Sequence, residues 1–374
     1  MKVKAKILDY LFFQEGPGVR NTQYTTSSVK LLNVSNLVDG QIDLSNSDRY
    51  ISEEEANGKY KHFLVDEGDL IIASSGIKVD YLDKKIGFIK KEHLPLCMNT
   101  STIRFKVLDD NILNIKYFKY YLQSNDFKYQ VSRSITGSAQ LNYGPSHLKQ
   151  MTFILYDLNK QKEIVKKLDK INSLIQKYRK VLDYLDTLIK ARFVGMFGDP
   201  ISNSKGWDKS TLKELADVRD GTHDSPEYVM EGYPFITSKN ISNDRIDFSD
   251  VQYISTEDYK KFDERSHVDD GDILMPMIGT IGGAVIVKKD RDFSIKNVAL
   301  IKFSDQSLVN NVFIKTLLNS YEMKKYFNIL KTGGTQKFIS LGVIRDLPII
   351  KPSIELQKEY ERFVQHIDKL KFEQ

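Results

Sequence analysis

LNKQKEIVKKLDKINSLIQKYRKVLDYLDTLIKARFV, residues 158–194, contains no Gly and no Pro. Its apolar positions Ile164, Leu168, Ile171, Ile175, Tyr178, Leu182, Leu185 and Ile189 alternate steps of four and three. That is a heptad seam held for about four heptads, which predicts a long helix laid against another helix. At about 1.5 Å per residue the element is roughly 55 Å long. It carries ten Lys or Arg against four Asp or Glu, so the formal charge of +5 sits on this helix and the remainder is near neutral. A basic rod near the middle of the chain suits an anionic partner or a docking subunit.

The 374 residues suit two or three domains, and 41% hydrophobic with 11% aromatic content supplies real cores. No run of eighteen apolar residues occurs and MKVKAKILDY lacks a signal-peptide core, so a soluble, cytoplasmic protein is expected. The single cysteine, Cys97, leaves no internal disulfide and no thiolate metal cluster, and reads as a small buried hydrophobe.

Before the helix, KLLNVSNL (30–37), FLVDEGDLIIAS (63–74), KIGFIK (85–90) and STIRFKVL (101–108) read as strands, and NIKYFKYYLQSND (114–126) as a helix. After it, GMFGDPISNSKGW (195–207) reads as a linker. Short strands follow, then a helical stretch VNNVFIKTLLNSYEMKKYF (309–327) and a helical tail from 352. The two flanks match. Leu31-Leu32-Asn33 corresponds to Phe235-Ile236-Thr237, and Asn36 to Asn240. VDEGDL (65–70) corresponds to VDDGDI (268–273), NTSTIRF (99–105) to NVALIKF (297–303), and Gly137-Ser138-Ala139-Gln140 to Gly333-Gly334-Thr335-Gln336. The last offset continues into the helices, taking Gln161 to Gln357, Ile164 to Tyr360, Leu168 to Val364 and Ile171 to Ile367. A duplication of this period fixes the architecture. The expected fold is α+β: two homologous mixed α/β domains separated by an antiparallel two-helix coiled coil, a pseudo-two-fold dumbbell with seam residues Tyr360, Val364 and Ile367 on the second helix.

No catalytic constellation accompanies this plan. GTIGG (279–283) and SSGIKVDY (74–81) lack a following GK[ST] and read as turns; no HExxH, paired CxxC or GxSxG occurs. The six histidines are scattered, so no zinc site and no metal are expected. The acidic VDEGD and VDDGD read as turns entering buried strands, with Asp side chains on turn amides and Gly68 or Gly271 taking positive φ. What the loops do carry is the inventory for phosphate and base contacts. In the first copy the candidates are Arg20, Asn21, Gln23, Tyr24, Thr25, Lys30, Lys78 and Arg133. In the second they are Asp220, Thr222, His223, Ser225, Lys239, Arg245, Lys331 and Lys337. The loops QEGPGVRNTQYTTSS and RDGTHDSPEYVMEG differ completely while their flanks match, as two readers of two different short sequences require.

YISEEEANGKYKHFLVDEGDLIIA, YISTEDYKKFDERSHVDDGDILMPMIGTIGG, GSAQLNYGPSHLKQMTF, GGTQKFISLGVIRDLPI, NKQKEIVKKLDKI and IELQKEYERFVQHIDKL together resemble the DNA specificity subunit of type I restriction–modification systems. The resemblance covers almost the whole chain. It implies a first target-recognition domain over 1–155, a central conserved helix over 156–195, a linker over 196–206, a second recognition domain over 207–352 and a C-terminal conserved helix over 353–374. Each domain would read one half of a bipartite, non-palindromic site on double-stranded DNA, with the helices setting the spacing. The subunit would catalyse nothing and hold no cofactor. S-adenosylmethionine, ATP and Mg²⁺ would belong to two methyltransferase (modification) subunits docked on the helices and to motor–nuclease (restriction) subunits. A non-catalytic coiled-coil adaptor with ligands other than DNA is the alternative, and a stand-alone methyltransferase or nuclease a third reading.

Two departures carry expectations of their own. The first copy has less sequence before its loop than the second, which opens with SKGWDKSTLKELADVRDG, and so is expected to lack an opening strand. Nothing matches residues 179–194, because the C-terminal helix ends at the equivalent of Tyr178. The first half of the seam is therefore expected to pair inside the chain. Leu182, Leu185 and Ile189 would be left for a methyltransferase subunit or for self-association.

Overall fold

A computed structural model describes residues 2–46, 48–134, 142–242, 244–279, 281–303, 309–332 and 337–372. The chain divides into two compact units, Met1–Ile175 and Gln176–Gln374. The matched Gly137–Gln140 and Gly333–Gln336 segments, and Thr280 of GTIGG, lie outside the described residues.

In the first unit the elements run β1 (Lys2–Lys6), β2 (Leu11–Glu15), β3 (Val29–Leu32), β4 (Leu37–Val38), β5 (Gln41–Ile42), β6 (Tyr50–Ile51) and α1 (Glu53–Asn57). They continue with β7 (Leu70–Ala73), β8 (Ile86–Phe88), β9 (Leu96–Met98), β10 (Thr102–Val107), α2 (Ile115–Leu122), α3 (Asn125–Ser134), α4 (Pro145–Leu148), β11 (Thr152–Tyr156) and α5 (Leu158–Phe197). Strands pair as β1-β11, β2-β10-β7-β8, β6-β3-β9 and β4-β5.

The second unit follows with β12 (Asp208–Thr211), α6 (Leu212–Leu215), β13 (Asp217–Asp220), β14 (Tyr233–Ile236), β15 (Ile241–Ser242), β16 (Arg245–Ile246), β17 (Gln252–Ile254) and α7 (Thr256–Ser266). Then come β18 (Ile273–Pro276), β19 (Val285–Ile286), β20 (Ser294–Ile295), β21 (Val298–Lys302), α8 (Asn311–Asn319), α9 (Tyr321–Leu330), α10 (Leu341–Arg345), β22 (Pro348–Lys351) and α11 (Ile354–Phe372). Its sheets are β12-β22, β13-β21-β18-β19, β17-β14-β20 and β15-β16, the same order strand for strand. The parallel pairing recurs too, β3 with β9 and β14 with β20. The duplication is therefore a duplication of topology. It also corrects the expected missing strand: β1 pairs with β11 as β12 pairs with β22.

The strands form where the apolar runs are buried on both sides. All four residues of β7 and of β18 are inaccessible, as are most of β10 and β21. The VDEGD and VDDGD turns feed them. Asp69 Oδ2 accepts from the Asp66 amide at 2.9 Å and Asp272 Oδ2 from the Asp269 amide at 2.8 Å. Gly68 and Gly271 take φ of +88° and +84°, a region an L side chain resists. In the first core Phe105, Phe118 and Phe153 meet edge to face at 5.2 and 5.5 Å, each buried ring contributing about 2–3 kcal/mol. The helical stretch at 309–327 is two helices. Ser320 is extended there, and its hydroxyl accepts the Met323 amide at 3.2 Å to restart the chain as α9.

A buried glutamine pins each long helix to its unit. Gln161 accepts the Asn114 amide and donates to the carbonyls of Ile112 and Tyr156, each at 2.8 Å. Gln357 accepts the Asn310 amide at 2.9 Å and donates to the Pro352 carbonyl at 2.9 Å. The matched glutamines are thus joints between helix and sheet.

At its other end α5 is built into the second unit. Phe193 and Phe197 are buried against Phe313 and Tyr360, with Phe197 and Phe313 rings 4.8 Å apart. The stretch read as a linker is a folded cap. Gly198 takes φ of +75° and returns its amide to the Val194 carbonyl at 2.8 Å. Trp207 Nε1 donates to the Phe197 carbonyl at 2.9 Å, and Lys205 donates to the carbonyls of Gly195 and Met196.

The seam pairs differently from the expectation. Glu359 bonds Arg192 at 2.8 Å, the Tyr360 hydroxyl reaches the Ile189 carbonyl at 3.4 Å, and Lys371 bonds Asp186 at 2.7 Å. Ile189 packs on the second core, Leu185 is half-buried, and Tyr360, Val364 and Ile367 are buried. Ile164 packs on the first core and Leu168 is half-buried, while Ile171, Ile175, Tyr178 and Leu182 are 39–50% exposed. So α11 meets the last part of the seam, from Asp186 to Arg192, and the exposed part is its middle. The reason is geometric. Repeat-equivalent positions such as Ile164 and Tyr360 sit on equivalent cores, so equivalence in the repeat does not make them partners of one another.

Candidate nucleic-acid interface

In the second unit three segments converge: the loop leaving β13, the turn after β14, and the turn between β20 and β21. Gly221 allows the first approach, since a Cβ there would lie 2.2 Å from the Ile295 carbonyl oxygen. Thr222 then donates its amide to Ile295 at 3.1 Å and accepts the Asn297 amide at 3.3 Å through its carbonyl. Asn297 takes φ of +54°, a conformation asparagine tolerates better than most residues. Asp220, at the end of β13, is buried and spends both carboxylate oxygens. One accepts from Arg265 of α7 and the other from His223 Nε2 at 2.9 Å. His223 Nδ1 faces the Asn297 side-chain oxygen at 2.7 Å. Lys296 Nζ donates to Ser225 Oγ at 2.6 Å.

These segments wall a cleft of about 560 Å³ lined by Lys239, Lys296, Asn297, Gln252, Tyr228 and Phe235 among others. Two cations, several neutral donors and acceptors and two aromatic rings are the chemistry that a phosphate and base edges require. Asp247 and Asp250 also reach the cleft. The turn carrying Lys239 is held by Asn240, whose amide accepts from Thr237 N at 3.0 Å and donates to the Asp250 carbonyl at 2.9 Å. Asn36 does the same in the first unit, accepting from Asn33 N at 2.9 Å and donating to the Asp43 carbonyl at 2.9 Å. The matched Asn36 and Asn240 are scaffold.

Of the candidates read from the second copy, Lys239 lines this cleft, while Thr222 and His223 bond its lining residue Asn297 and Ser225 bonds its lining residue Lys296. Arg245 is exposed on β16, Lys331 bonds Asn328 at 2.7 Å at the end of α9, and Lys337 is exposed. Asp220 is a support for the loop. Lys296, Asn297, Gln252, Tyr228 and Arg265 were not singled out by sequence. Asn297 hid behind its match to Asn99, which made it look like framework.

The first unit treats the equivalent loop differently. Gln23 donates to Glu55 at 2.6 Å and accepts from the Tyr60 hydroxyl at 3.0 Å and the Arg20 amide at 3.1 Å. Its amide fastens the loop to α1 and is a structural clasp. Lys30 donates to the Leu44 carbonyl at 2.7 Å and lies 5.2 Å from the Tyr50 ring, so it too is committed internally. Tyr24 sits under the Arg49 guanidinium at 5.6 Å and Thr25 bonds the Ser27 carbonyl at 2.7 Å. Arg20 and Asn21 are exposed at the loop tip. Lys78 stands at the start of the short turn at 79–84 and Arg133 lies over the Tyr129 ring at 5.7 Å.

Behind both loops a buried aspartate meets a cation from the neighbouring strand: Asp69 with Arg104 at 3.4 Å, and Asp272 with Lys302 at 2.7 Å. Burial raises both carboxyls above the usual aspartate range despite those cations. Burial likewise pushes the Cys97 thiol up to about 12, so it stays protonated and inert. Among the described residues no three His, Cys, Asp or Glu are placed to hold a metal ion, and no helix is long and apolar enough to cross a membrane.

The family described as the type I restriction modification DNA specificity domain matches residues 23–183 and again 204–374, one match per copy. The chain belongs to that family. It is a type I specificity subunit by this membership. The MjaVIII type I restriction enzyme specificity subunit of Methanocaldococcus jannaschii is 23% identical over 329 residues, spanning 83% of this chain and 74% of that protein. The putative MjaX specificity subunit of the same organism is 26% identical over 171 residues, 44% of this chain and 40% of its own length. Among solved structures, the S subunit of the type I restriction–modification system of M. genitalium covers all of this chain at a TM-score of 0.52 and 15% identity, with 91% of that chain matched. A chain from a type I system solved to explain complex assembly and conformational transition covers all of it at 0.53 and 14% identity, with 90% of that chain matched. These two share the fold.

Proposed function

We propose that the chain is the sequence-reading subunit of a type I restriction–modification complex. Each unit reads one half of a bipartite, non-palindromic DNA site, and the long helices set the spacing between the halves. The observation that carries the reading is the duplicated topology with diverged loops, one of which borders a cleft of polar, cationic and aromatic side chains. Two framework copies with different loops suit two different half-sites, because phosphate contacts fix register while base edges carry sequence. The candidate contacts are Arg20, Asn21, Tyr24, Thr25, Lys78 and Arg133 in the first unit and Thr222, His223, Ser225, Lys239, Arg245, Lys331 and Lys337 in the second.

The helices α5 and α11 are the proposed antiparallel pair. The order of their contacts supports this, with Glu359 at Arg192 and Lys371 at Asp186. The uncovered apolar positions Ile171, Ile175, Tyr178 and Leu182, on a basic helix, are where a methyltransferase subunit docks or a second copy associates. Two methyltransferase subunits and the motor–nuclease subunits supply S-adenosylmethionine, ATP and Mg²⁺ chemistry; this chain catalyses nothing. Binding of the full chain to a duplex carrying a selected two-part sequence should exceed binding to random duplex by at least about a thousandfold, and weaken steeply with salt. Equal affinity for both duplexes, or no DNA binding, would favour an adaptor with other ligands.

A further inference from the structure

We propose that Asn297 contacts a base edge in the second unit, and that His223, anchored by Asp220, is the positioning residue that decides which end of the Asn297 amide faces the DNA. This rests on the DNA-reading assignment above. Asp220 is buried with both oxygens engaged, one by Arg265 and one by His223 Nε2 at 2.9 Å. A carboxylate only accepts, so Nε2 carries a proton whether the ring is neutral or charged. The variable proton is therefore on Nδ1, 2.7 Å from the Asn297 side-chain oxygen.

With that proton present, the ring donates to the oxygen, and the Asn297 amide nitrogen is the group left for a ligand. It has no partner among the described residues. With the proton absent, Nδ1 accepts instead; the amide turns over and offers its oxygen. A donor suits guanine O6 or N7, adenine N7 or thymine O4, whereas an acceptor suits the amino groups of adenine or cytosine. One proton thus changes which base the position prefers. The neighbouring charges are Arg265 on Asp220, Lys261 on Asp224 at 3.4 Å, and Lys296, a cation whose ammonium donates to the neutral Ser225 hydroxyl. Asn297 lines the cleft and its backbone is tied to Thr222, so the amide turns without the chain moving. At the matched position of the first unit Asn99 has no such freedom. Its oxygen accepts from Val19 N at 3.3 Å and Thr100 N at 2.8 Å, and its nitrogen donates to Asn33 at 2.9 Å.

The test selects duplexes from a randomised pool with the full chain at about pH 5.5 and about pH 8, either side of the range where imidazoles change charge. The wild type is expected to recover a two-part motif in which one position, in one half only, changes its preferred base between the two conditions by roughly tenfold in enrichment. Asn297→Gly, which keeps the positive φ, should lose preference at that position under both conditions and leave the rest of the motif intact. His223→Phe should abolish the pH dependence at that position, and a His223→Phe motif that still changes its base there between the two conditions overturns the inference. An Asn297→Gly motif identical to the wild-type one at every position overturns the inference while DNA reading stands. So does a wild-type motif without a pH-dependent position, a comparison that needs no variant to fold. Recovery of no motif by the wild type removes the DNA-reading assignment itself, and the inference with it.

Discussion

Asn99 and Asn297 occupy the same place in two copies of one fold and have opposite fates. In the first unit the amide is buried and every polar end is spent on backbone and on Asn33. In the second it is half-buried, lines a cleft and bonds a histidine. The neighbouring loops show the same contrast, with Gln23 clasped to α1 and Ser225 drawn toward Lys296 at the cleft. A duplicated scaffold can therefore keep its strand order while moving a residue from framework to contact surface. What decides the outcome is where the neighbouring loop sends its own donors and acceptors.

The largest effect expected is shared by both units. Gly16 and Gly221 each bring a loop against a carbonyl oxygen, 2.0 Å and 2.2 Å from where a Cβ would stand. Backbone cannot yield as a side-chain tip can, so Gly16→Ala and Gly221→Ala should each cost about 3 kcal/mol in urea unfolding. A tolerated Gly221→Ala would break the equivalence of the two frameworks. The asparagines should differ. Asn99→Ala leaves buried amides without an acceptor and should cost roughly 2 kcal/mol, whereas Asn297→Gly should cost under about 1 kcal/mol. Equal losses in the same unfolding experiment would mean that Asn297 is framework after all.

The smallest effect is in the acid range, where carboxyl titration by NMR should separate neighbours. Asp69 and Asp272 are held above the usual aspartate range by burial, while Asp269 is held below it by its hydrogen bond from Lys302. The signs are opposite. A depressed carboxyl such as Asp269 contributes stability above its unfolded value and loses it as pH falls through the folded one. The raised pair contributes stability that is fully present below the unfolded value and is lost as pH rises through the folded one. Asp269 titrating above Asp272 would contradict the burial argument.

Much of the fold was legible because duplication leaves a record that single elements do not. The VDEGD and VDDGD turns behaved as turns for the stated reason, Asp on amide and Gly at positive φ. The opening strand β1 was missed because a five-residue run of alternating Lys and small apolar residues has little signature without its partner β11. The cap at 198–207 was missed because Gly, Asn and Ser mark an ordered cap and a loose linker alike. The seam was misassigned through sequence equivalence, which says nothing about which parts of two helices meet. At the cleft, His223, Ser225 and Lys239 stood out by composition. Asn297 did not, because alignment with NTSTIRF labelled it framework, and Lys296 stands just before that matched stretch.

Mapping of modified bases in cells carrying the system, with and without this chain, decides whether it is a two-headed reader. One methylated motif of two short halves separated by a fixed unspecified spacer is expected, present only with the chain. The same motif in its absence, or a single undivided motif, would contradict a two-headed reader.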